Sequence, residues 1–148
     1  MTSIAWFWLP STRAELYNEG EAKKIIQMAD YQIDWVEQPL GVYNIEGMAL
    51  LRKMIPIRLA IDQEANTLVK INRAINVQAA DVYVVGFHET VGIMGLKKPA
   101  AMLQAANLPL NRHGIMGESG ISTLAALQVL ATRPNITDGN QVMHHLLA

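Results

Sequence analysis

Two acidic residues close apolar, strand-forming stretches of this sequence. Glu37 ends the stretch "IDWVE" and is followed at once by Gln38 and Pro39, and Asp62 ends the stretch "IPIRLAID". Functional groups of parallel α/β proteins collect at the carboxyl ends of strands, and neighbouring parallel strands lie about 4.8 Å apart. The two carboxylates are therefore expected to lie close enough to share one hard cation. Each could instead cap a helix or pair with a basic residue.

The elements that must position these acids alternate along the chain between β-branched or aromatic runs and helical patterns. Strands are predicted at Ser3–Pro10, Ile33–Glu37, Ile55–Asp62, Ala80–Phe87 and, more weakly, within Leu108–Gly117. Helices are predicted at Asn18–Asp30, Tyr43–Met54, Asn66–Ile75 with Asn66 as its cap, Gly95–Asn107 with Pro99 limiting its start, Gly120–Thr132 and Asn140–Leu147. This alternation predicts a parallel sheet covered by helices. The spacing suits barrel units, but a flavodoxin-like doubly wound sheet has a similar period.

Composition limits the classes of partner. The 148 residues are expected to form a single domain over residues 1–148, with 51% apolar residues, only 17% charged residues and a net charge of −1. Neither nucleic acid nor membrane is therefore expected as a partner, and no apolar run reaches the ~18 residues of a membrane span. The absence of cysteine fits a cytoplasmic protein. The low charged fraction indicates either many doubly buried strands or surface that something else covers. An incomplete barrel would also expose sheet edges, and together these features predict a homo-oligomer.

Four stretches together resemble one known family. They are "DWVEQPL", "IPIRLAIDQEANT", "AADVYVVGFHETVGI" and "HGIMGESGISTLAALQVLATRPNIT", and the resemblance that they indicate extends roughly from Asn18 to Thr137. The chain resembles the enolase superfamily, in its mandelate racemase and muconate lactonizing branch. The resemblance implies a partial (β/α)8 barrel that lacks the N-terminal cap and the first barrel units. It also implies a Mg²⁺-dependent isomerase or lyase that removes the proton next to the carboxylate of a small substrate.

The family's site residues transfer to this sequence position by position. Glu37 and Asp62 correspond to the second and third carboxylate ligands of Mg²⁺, and Glu118 in "MGESG" stands near an acidic position that orients or protonates substrate. The first carboxylate ligand is expected about one βα unit before Glu37, near Thr12, where no acid stands. Glu15 is the nearest acid.

The proton-transfer residues of the family match less well. Gly86 occupies the position that corresponds to the catalytic lysine of the muconate lactonizing branch. His88, two residues later, is the candidate base that remains, although a histidine in a strand-end loop is more often a surface or hydrogen-bonded residue. The resemblance would make His113 a remnant of the racemase histidine, without a clear partner. The adjacent pair His144 and His145 is expected to be solvent-exposed rather than to chelate an ion.

These departures predict a truncated chain with little or no activity of its own. The loss of one of three carboxylates should weaken the Mg²⁺ site steeply, to the point where the ion is absent. The alternative is a non-catalytic α/β module derived from the family, whose role is oligomerisation.

Overall fold

The computed structural model describes residues 25–27, 29–31, 33–115, 117–137 and 140–143. The strands in these ranges are β1 (Trp35–Glu37), β2 (Arg58–Ile61), β3 (Val82–Gly86) and β4 (Leu110–His113). The helices are α1 (Ile45–Met54), α2 (Leu68–Asn76), α3 (Ile93–Ala105) and α4 (Gly120–Leu130), and two short 3-10 turns cover Ala29–Tyr31 and Gln63–Ala65. Each strand is followed by a helix, as the alternation predicts.

The sheet is parallel throughout its described strands, and each strand pairs with the next one along the chain in the order β1-β2-β3-β4. A flavodoxin-like sheet departs from chain order at its switch point, whereas the strands of a barrel follow one another around the axis. The prediction of a partial α/β barrel is therefore confirmed, and the doubly wound alternative is wrong for these strands.

The helices pack on one face of the sheet, where alternate strand residues are buried against them. One core cluster joins outward strand residues such as Val36, Leu59 and Tyr83 to residues of all four helices. The opposite face, called the inner face below, carries a smaller buried cluster of Trp35, Ala60, Val82 and Val84. Because successive strand residues point to opposite faces, this division also fixes which strand-end residues face inward.

Helix boundaries differ from the predictions in physically simple ways. The side chain of Thr67, not Asn66, caps α2 by accepting a hydrogen bond from the backbone of Lys70 at 3.3 Å, so the cap assigned to Asn66 is wrong. Helix α3 begins at Ile93, and Pro99 lies buried inside it. The proline removes one backbone N–H from the helix but does not end it.

The predicted elements at the two ends of the chain are only partly described. The strand at Ser3–Pro10 lies outside the described residues, as do Thr12 and Glu15. Residues 25–27 of the first predicted helix are helical. Residues 140–143 have no regular structure, so the C-terminal helix does not begin at Asn140. The rest of that helix, with His144 and His145, lies outside the described residues.

Candidate functional site

The strand register places four site positions on the inner face at the carboxyl ends of the strands. Glu37 pairs with Ala60, which belongs to the inner cluster, so Glu37 faces inward and Asp62, two residues after Ala60, does as well. Gly86 pairs with His113. Gly86 lies two residues after the inward Val84, so Gly86 and His113 share the same face. These positions belong to four consecutive strands, which the predicted fold brings to one edge.

Gln38 fixes Asp62 relative to the end of β1. The Asp62 backbone N–H donates to Gln38 Oε1 at 3.0 Å, and Gln38 Nε2 donates to the Leu40 carbonyl at 3.1 Å. The buried Gln38 has a φ of 39°, in the left-handed region that few residues other than glycine adopt. The sequence prediction gave this residue no role, although its place between Glu37 and Pro39 is the signal that was available.

Glu37 and Asp62 both resist ionisation in this structure. Burial, with a further contribution from the negative charge of Asp62, raises the pKa of Glu37 to about 7, and only the charge of His113 opposes the rise. Burial also raises the pKa of Asp62. A bound cation would stabilise the ionised form of both carboxyl groups and so lower their raised pKa values.

Asp62 has one oxygen available for such a cation. Its Oδ2 accepts a hydrogen bond from Gln63 Nε2 at 2.8 Å, while its Oδ1 is buried and has no hydrogen-bond partner. A buried, unsatisfied carboxylate oxygen is costly unless something charged faces it. The donor set of Glu37 and Asp62 consists of oxygens, which suit Mg²⁺, so these residues fit the ion that the resemblance implies.

His113 forms an ion pair with Glu89. His113 Nε2 lies 3.3 Å from Glu89 Oε2 and 3.6 Å from Asp62 Oδ1. Burial alone would lower the pKa of His113, but the hydrogen bond to Glu89 and the charge of Asp62 outweigh burial and raise it. The same hydrogen bond lowers the pKa of Glu89. The expectation that His113 has no clear partner is therefore wrong: the loop after β3 supplies one.

His88 and Gly86 complete this corner of the site. The exposed ring of His88 meets the ring of His113 edge to face, with centroids 5.3 Å apart. A Cβ added to Gly86 would lie 2.6 Å from His113 Nε2 and 2.9 Å from Glu89 Oε2. Gly86, where the resemblance implies a lysine, thus has no side chain, and the space beside it is taken by these side chains.

Glu118 and His88 are the two residues predicted to be catalytic, and Glu118 lies in a different setting from His88. It is buried, and its Oε1 accepts hydrogen bonds from Arg112 Nη2 and from Ser122 Oγ. Arg112 precedes His113 in β4, so its side chain leaves the opposite face of the sheet. The contacts of Glu118 are therefore those of a structural ion pair, and its role toward a substrate stays a prediction.

A cleft of about 210 Å³ opens beside Glu89. Its lining includes Asn66, Thr67, Thr90 and Lys98 from the loops after β2 and β3 and from α3. The cleft thus adjoins the ion pair of Glu89 and His113 and offers polar groups and one cation. Glu37, Asp62 and His113 are not among its lining residues, so the cleft borders the site only through Glu89.

Glu89 was missed by the sequence prediction. The available signal was its place directly after His88 in the loop that follows the third strand. This position in the sequence could not identify Glu89 as the partner of His113, 24 residues later, because the conformation of the loop decides which way Glu89 points. Thr90 shapes that loop, because its Oγ1 and its N–H both donate to the Gly86 carbonyl, at 3.0 and 3.2 Å.

Parallel strands in chain order, helices on their outer face and polar groups at their carboxyl ends define a (β/α)-barrel protein with its site at the C-terminal face. The chain belongs to the enolase C-terminal domain-like family, whose model matches residues 14–147. The resemblance to the mandelate racemase and muconate lactonizing branch is confirmed by this match and by the relatives described next.

The relatives are isomerases of that branch. The chain is 26% identical over 121 residues to muconate cycloisomerase 1-2 of Acinetobacter lwoffii, with 82% of this chain and 31% of the relative covered. It is 29% identical over 105 residues to the N-succinyl-L-Arg/Lys racemase of Bacillus cereus, with 71% and 28% covered. A mandelate racemase/muconate lactonizing family protein from Azoarcus sp. EbN1 superposes with a TM-score of 0.73 at 27% identity, over 82% of this chain and 32% of that one. The chain thus spans about a third of the length of these relatives.

Proposed function

We propose that this chain carries part of the active site of a Mg²⁺-dependent isomerase or lyase that moves the proton next to a substrate carboxylate. The observation that supports this proposal is the convergence of Glu37, Asp62 and the His113–Glu89 pair on one edge of the inner face. Muconate cycloisomerase and N-succinyl-L-Arg/Lys racemase are relatives whose substrates bear carboxylates. We propose a small carboxylate-bearing molecule as substrate.

Two pairs of residues would have different roles, one in binding the metal ion and the other in transferring the proton. Glu37 and Asp62 would hold Mg²⁺, which when bound supplies the positive charge that acidifies the proton next to the substrate carboxylate. His113 would exchange that proton at Nε2, which lies 3.3 Å from Glu89 Oε2, and the negative charge of Glu89 stabilises the imidazolium. The Gly114 carbonyl, 3.1 Å from Nδ1, orients the ring. His88, exposed at the edge of the His113 ring, is the second candidate for proton exchange with solvent.

The chain on its own is expected to turn over slowly. The acid predicted for the first metal position is replaced near Thr12, and Gly86 offers no side chain for proton transfer. Two carboxylates bind Mg²⁺ more weakly than three, because the charge of the ligand set falls. Slow exchange of the substrate proton, rather than rapid turnover, is therefore the activity to look for.

The test is solvent exchange at the carbon next to the carboxylate. Purified chain is incubated in D₂O with Mg²⁺ and N-succinyl-L-arginine or cis,cis-muconate, and exchange or lactone formation is followed by NMR. We expect exchange above that of buffer, and a decrease of about 10²–10⁴-fold in His113→Gln, as for the loss of a general base. Exchange that survives unchanged in both His113→Gln and Asp62→Asn would contradict the proposal.

A second candidate is the non-catalytic oligomerisation module. The exposed apolar residues Ile121 and Leu124 of α4 favour it, because they offer a surface for a second copy. An Asp62→Asn variant whose Mg²⁺ binding equals that of the wild type would favour this candidate over the enzyme.

A further inference from the structure

His88, Glu89 and His113 bring three metal-binding groups together at the end of β3. One ligand atom from each lies within 4.8 Å of the others. Two imidazoles and one carboxylate form a ligand set that Zn²⁺ and its neighbours in the first transition row prefer, whereas Mg²⁺ prefers oxygen. The chemistry of this cluster therefore differs from that of Glu37 and Asp62.

Gly86 shows that the three side chains converge on one point. A Cβ on Gly86 would lie 2.6 Å from His113 Nε2, 2.8 Å from His88 Cε1 and 2.9 Å from Glu89 Oε2. All three side chains thus crowd the small volume above the end of β3 that glycine leaves free.

Two of the three groups are held by backbone contacts typical of metal ligands. His113 Nδ1 lies 3.1 Å from the Gly114 carbonyl, which can only accept, so the Nδ1–H donates to it. Nε2 faces the cluster, where a metal ion would replace the proton that Nε2 shares with Glu89 Oε2. Glu89 Oε2 accepts from the Gly86 N–H at 3.2 Å. Such outer contacts fix the ring orientation and the carboxylate of a metal site.

Asp62 lies beside this cluster, next to His113. Its Oδ1, buried and without a hydrogen-bond partner, lies 3.6 Å from His113 Nε2. Three protein ligands with a fourth position left open are the arrangement of many catalytic Zn²⁺ sites.

We infer that His88, Glu89 and His113 bind a divalent transition-metal ion of the Zn²⁺ class. The inference stands apart from the proposed function, because it concerns binding and needs no turnover. Such an ion takes the His113 Nε2 lone pair and replaces the proton that Nε2 shares with Glu89 Oε2. It therefore competes with proton transfer at His113.

The test uses the full chain, freed of metal with a chelator. Co²⁺ is titrated in and its visible absorption recorded, and bound Co²⁺ is then displaced with Zn²⁺. We expect one Co²⁺ per chain with the intense bands of tetrahedral coordination, full displacement by Zn²⁺, and no displacement by excess Mg²⁺. His88→Gln and Glu89→Gln should each lower the affinity by at least about 100-fold, more than the loss of an outer-shell contact.

The remaining two histidines of the chain provide the matched control. The double variant His144→Gln, His145→Gln should keep the Co²⁺ spectrum and affinity of the wild type. The inference is overturned if the wild type gives no tetrahedral spectrum, if His88→Gln binds as tightly as the wild type, or if the double variant loses binding. Because His88 is exposed, its replacement leaves the core intact, and circular dichroism verifies this.

Discussion

At the scale of single residues, the ionisation of Glu37 makes the stability of the folded chain depend on pH. The pKa of Glu37 in the folded chain, about 7, lies above its ordinary value of 4.5. The fold therefore favours the protonated form, so the contribution of Glu37 to stability is fully present below about pH 4.5 and is lost as the pH rises toward about 7. Metal-free chain should become less stable over this range, and Mg²⁺ should restore stability most at the upper end, where both carboxylates ionise.

The measurement is thermal unfolding at about pH 5 and about pH 8, with and without Mg²⁺. Glu37→Gln, a neutral mimic, should lose less stability between the two pH values than the wild type, and should not respond to Mg²⁺. Glu46→Gln is the matched control, since Glu46 is exposed on α1 and its contact with Arg73 lowers its pKa. A wild type whose unfolding temperature ignores both pH and Mg²⁺ would contradict the prediction.

Glu118 allows a second prediction, because Arg112 and Glu118 are both almost fully buried and their charges neutralise each other. Removing one charge leaves the other buried in the core without a counter-charge. Glu118→Gln should therefore lower the free energy of unfolding by about 3–5 kcal/mol, measured by urea denaturation. The double variant Arg112→Met, Glu118→Leu should recover most of this loss, because no lone charge remains. Equal losses in the single and double variants would show that the pair acts through something other than charge.

The sequence predicted some of these residues and missed others for a physical reason. Glu37 and Asp62 could be found because their position depends only on where a strand ends and on the period of the sheet. The pairing of Glu89 with His113 depends on the loop after β3, where Val91 and Gly92 have φ values of 58° and 86°. Such backbone turns in a loop leave no periodic pattern, so the partner of His113 could not be inferred.

At the scale of elements, the start of α3 depends on a glycine. A Cβ on Gly95 would clash with the Thr90 carbonyl oxygen, and this neighbour is backbone that cannot rotate away. Gly95→Ala should therefore displace the loop that carries His88 and Glu89. We expect the free energy of unfolding to fall by at least about 3 kcal/mol, the upper range for overpacking.

Gly120, the first residue of α4, is the matched control. Nothing lies within 4 Å of a Cβ added there, so Gly120→Ala should leave the fold intact and stabilise it by about 0.4–1 kcal/mol. Urea denaturation of both variants gives the comparison. If Gly95→Ala is as stable as Gly120→Ala, the close approach to Thr90 does not constrain the helix.

The elements themselves were largely predictable, whereas their ends were not. Hydrophobic runs and helical stripes located all four described strands and helices, because burial on one face imposes a period. The cap of α2 moved from Asn66 to Thr67, since both types can cap and only the local backbone decides between them. Pro99 lies within α3 on the buried face that also holds Leu96, Ala100 and Leu103, and the helix continues despite one missing hydrogen bond.

At the scale of the whole molecule, the described sheet does not leave its β4 edge open. The Leu110 N–H donates to the Asn135 carbonyl, and the Gln141 N–H donates to the Arg112 carbonyl at 2.9 Å. The chain after α4 thus covers β4, and an exposed edge there is not the reason to expect self-association. Among the described helices, none is long and apolar enough to cross a bilayer.

The reason to expect self-association is instead the exposed apolar face of α4. Ile121 is 82% exposed and Leu124 is 63% exposed, one helical turn apart, so their side chains form an apolar ridge in water. A second copy that packs on this ridge would bury it. We predict that the wild type elutes as an oligomer in size-exclusion chromatography with light scattering, and that Leu124→Glu shifts it toward the mass of one chain.

Gln128→Glu adds the same charge to an exposed position of the same helix without removing an apolar side chain, so it should remain an oligomer. A wild type that runs as a monomer at every concentration would remove the oligomerisation candidate.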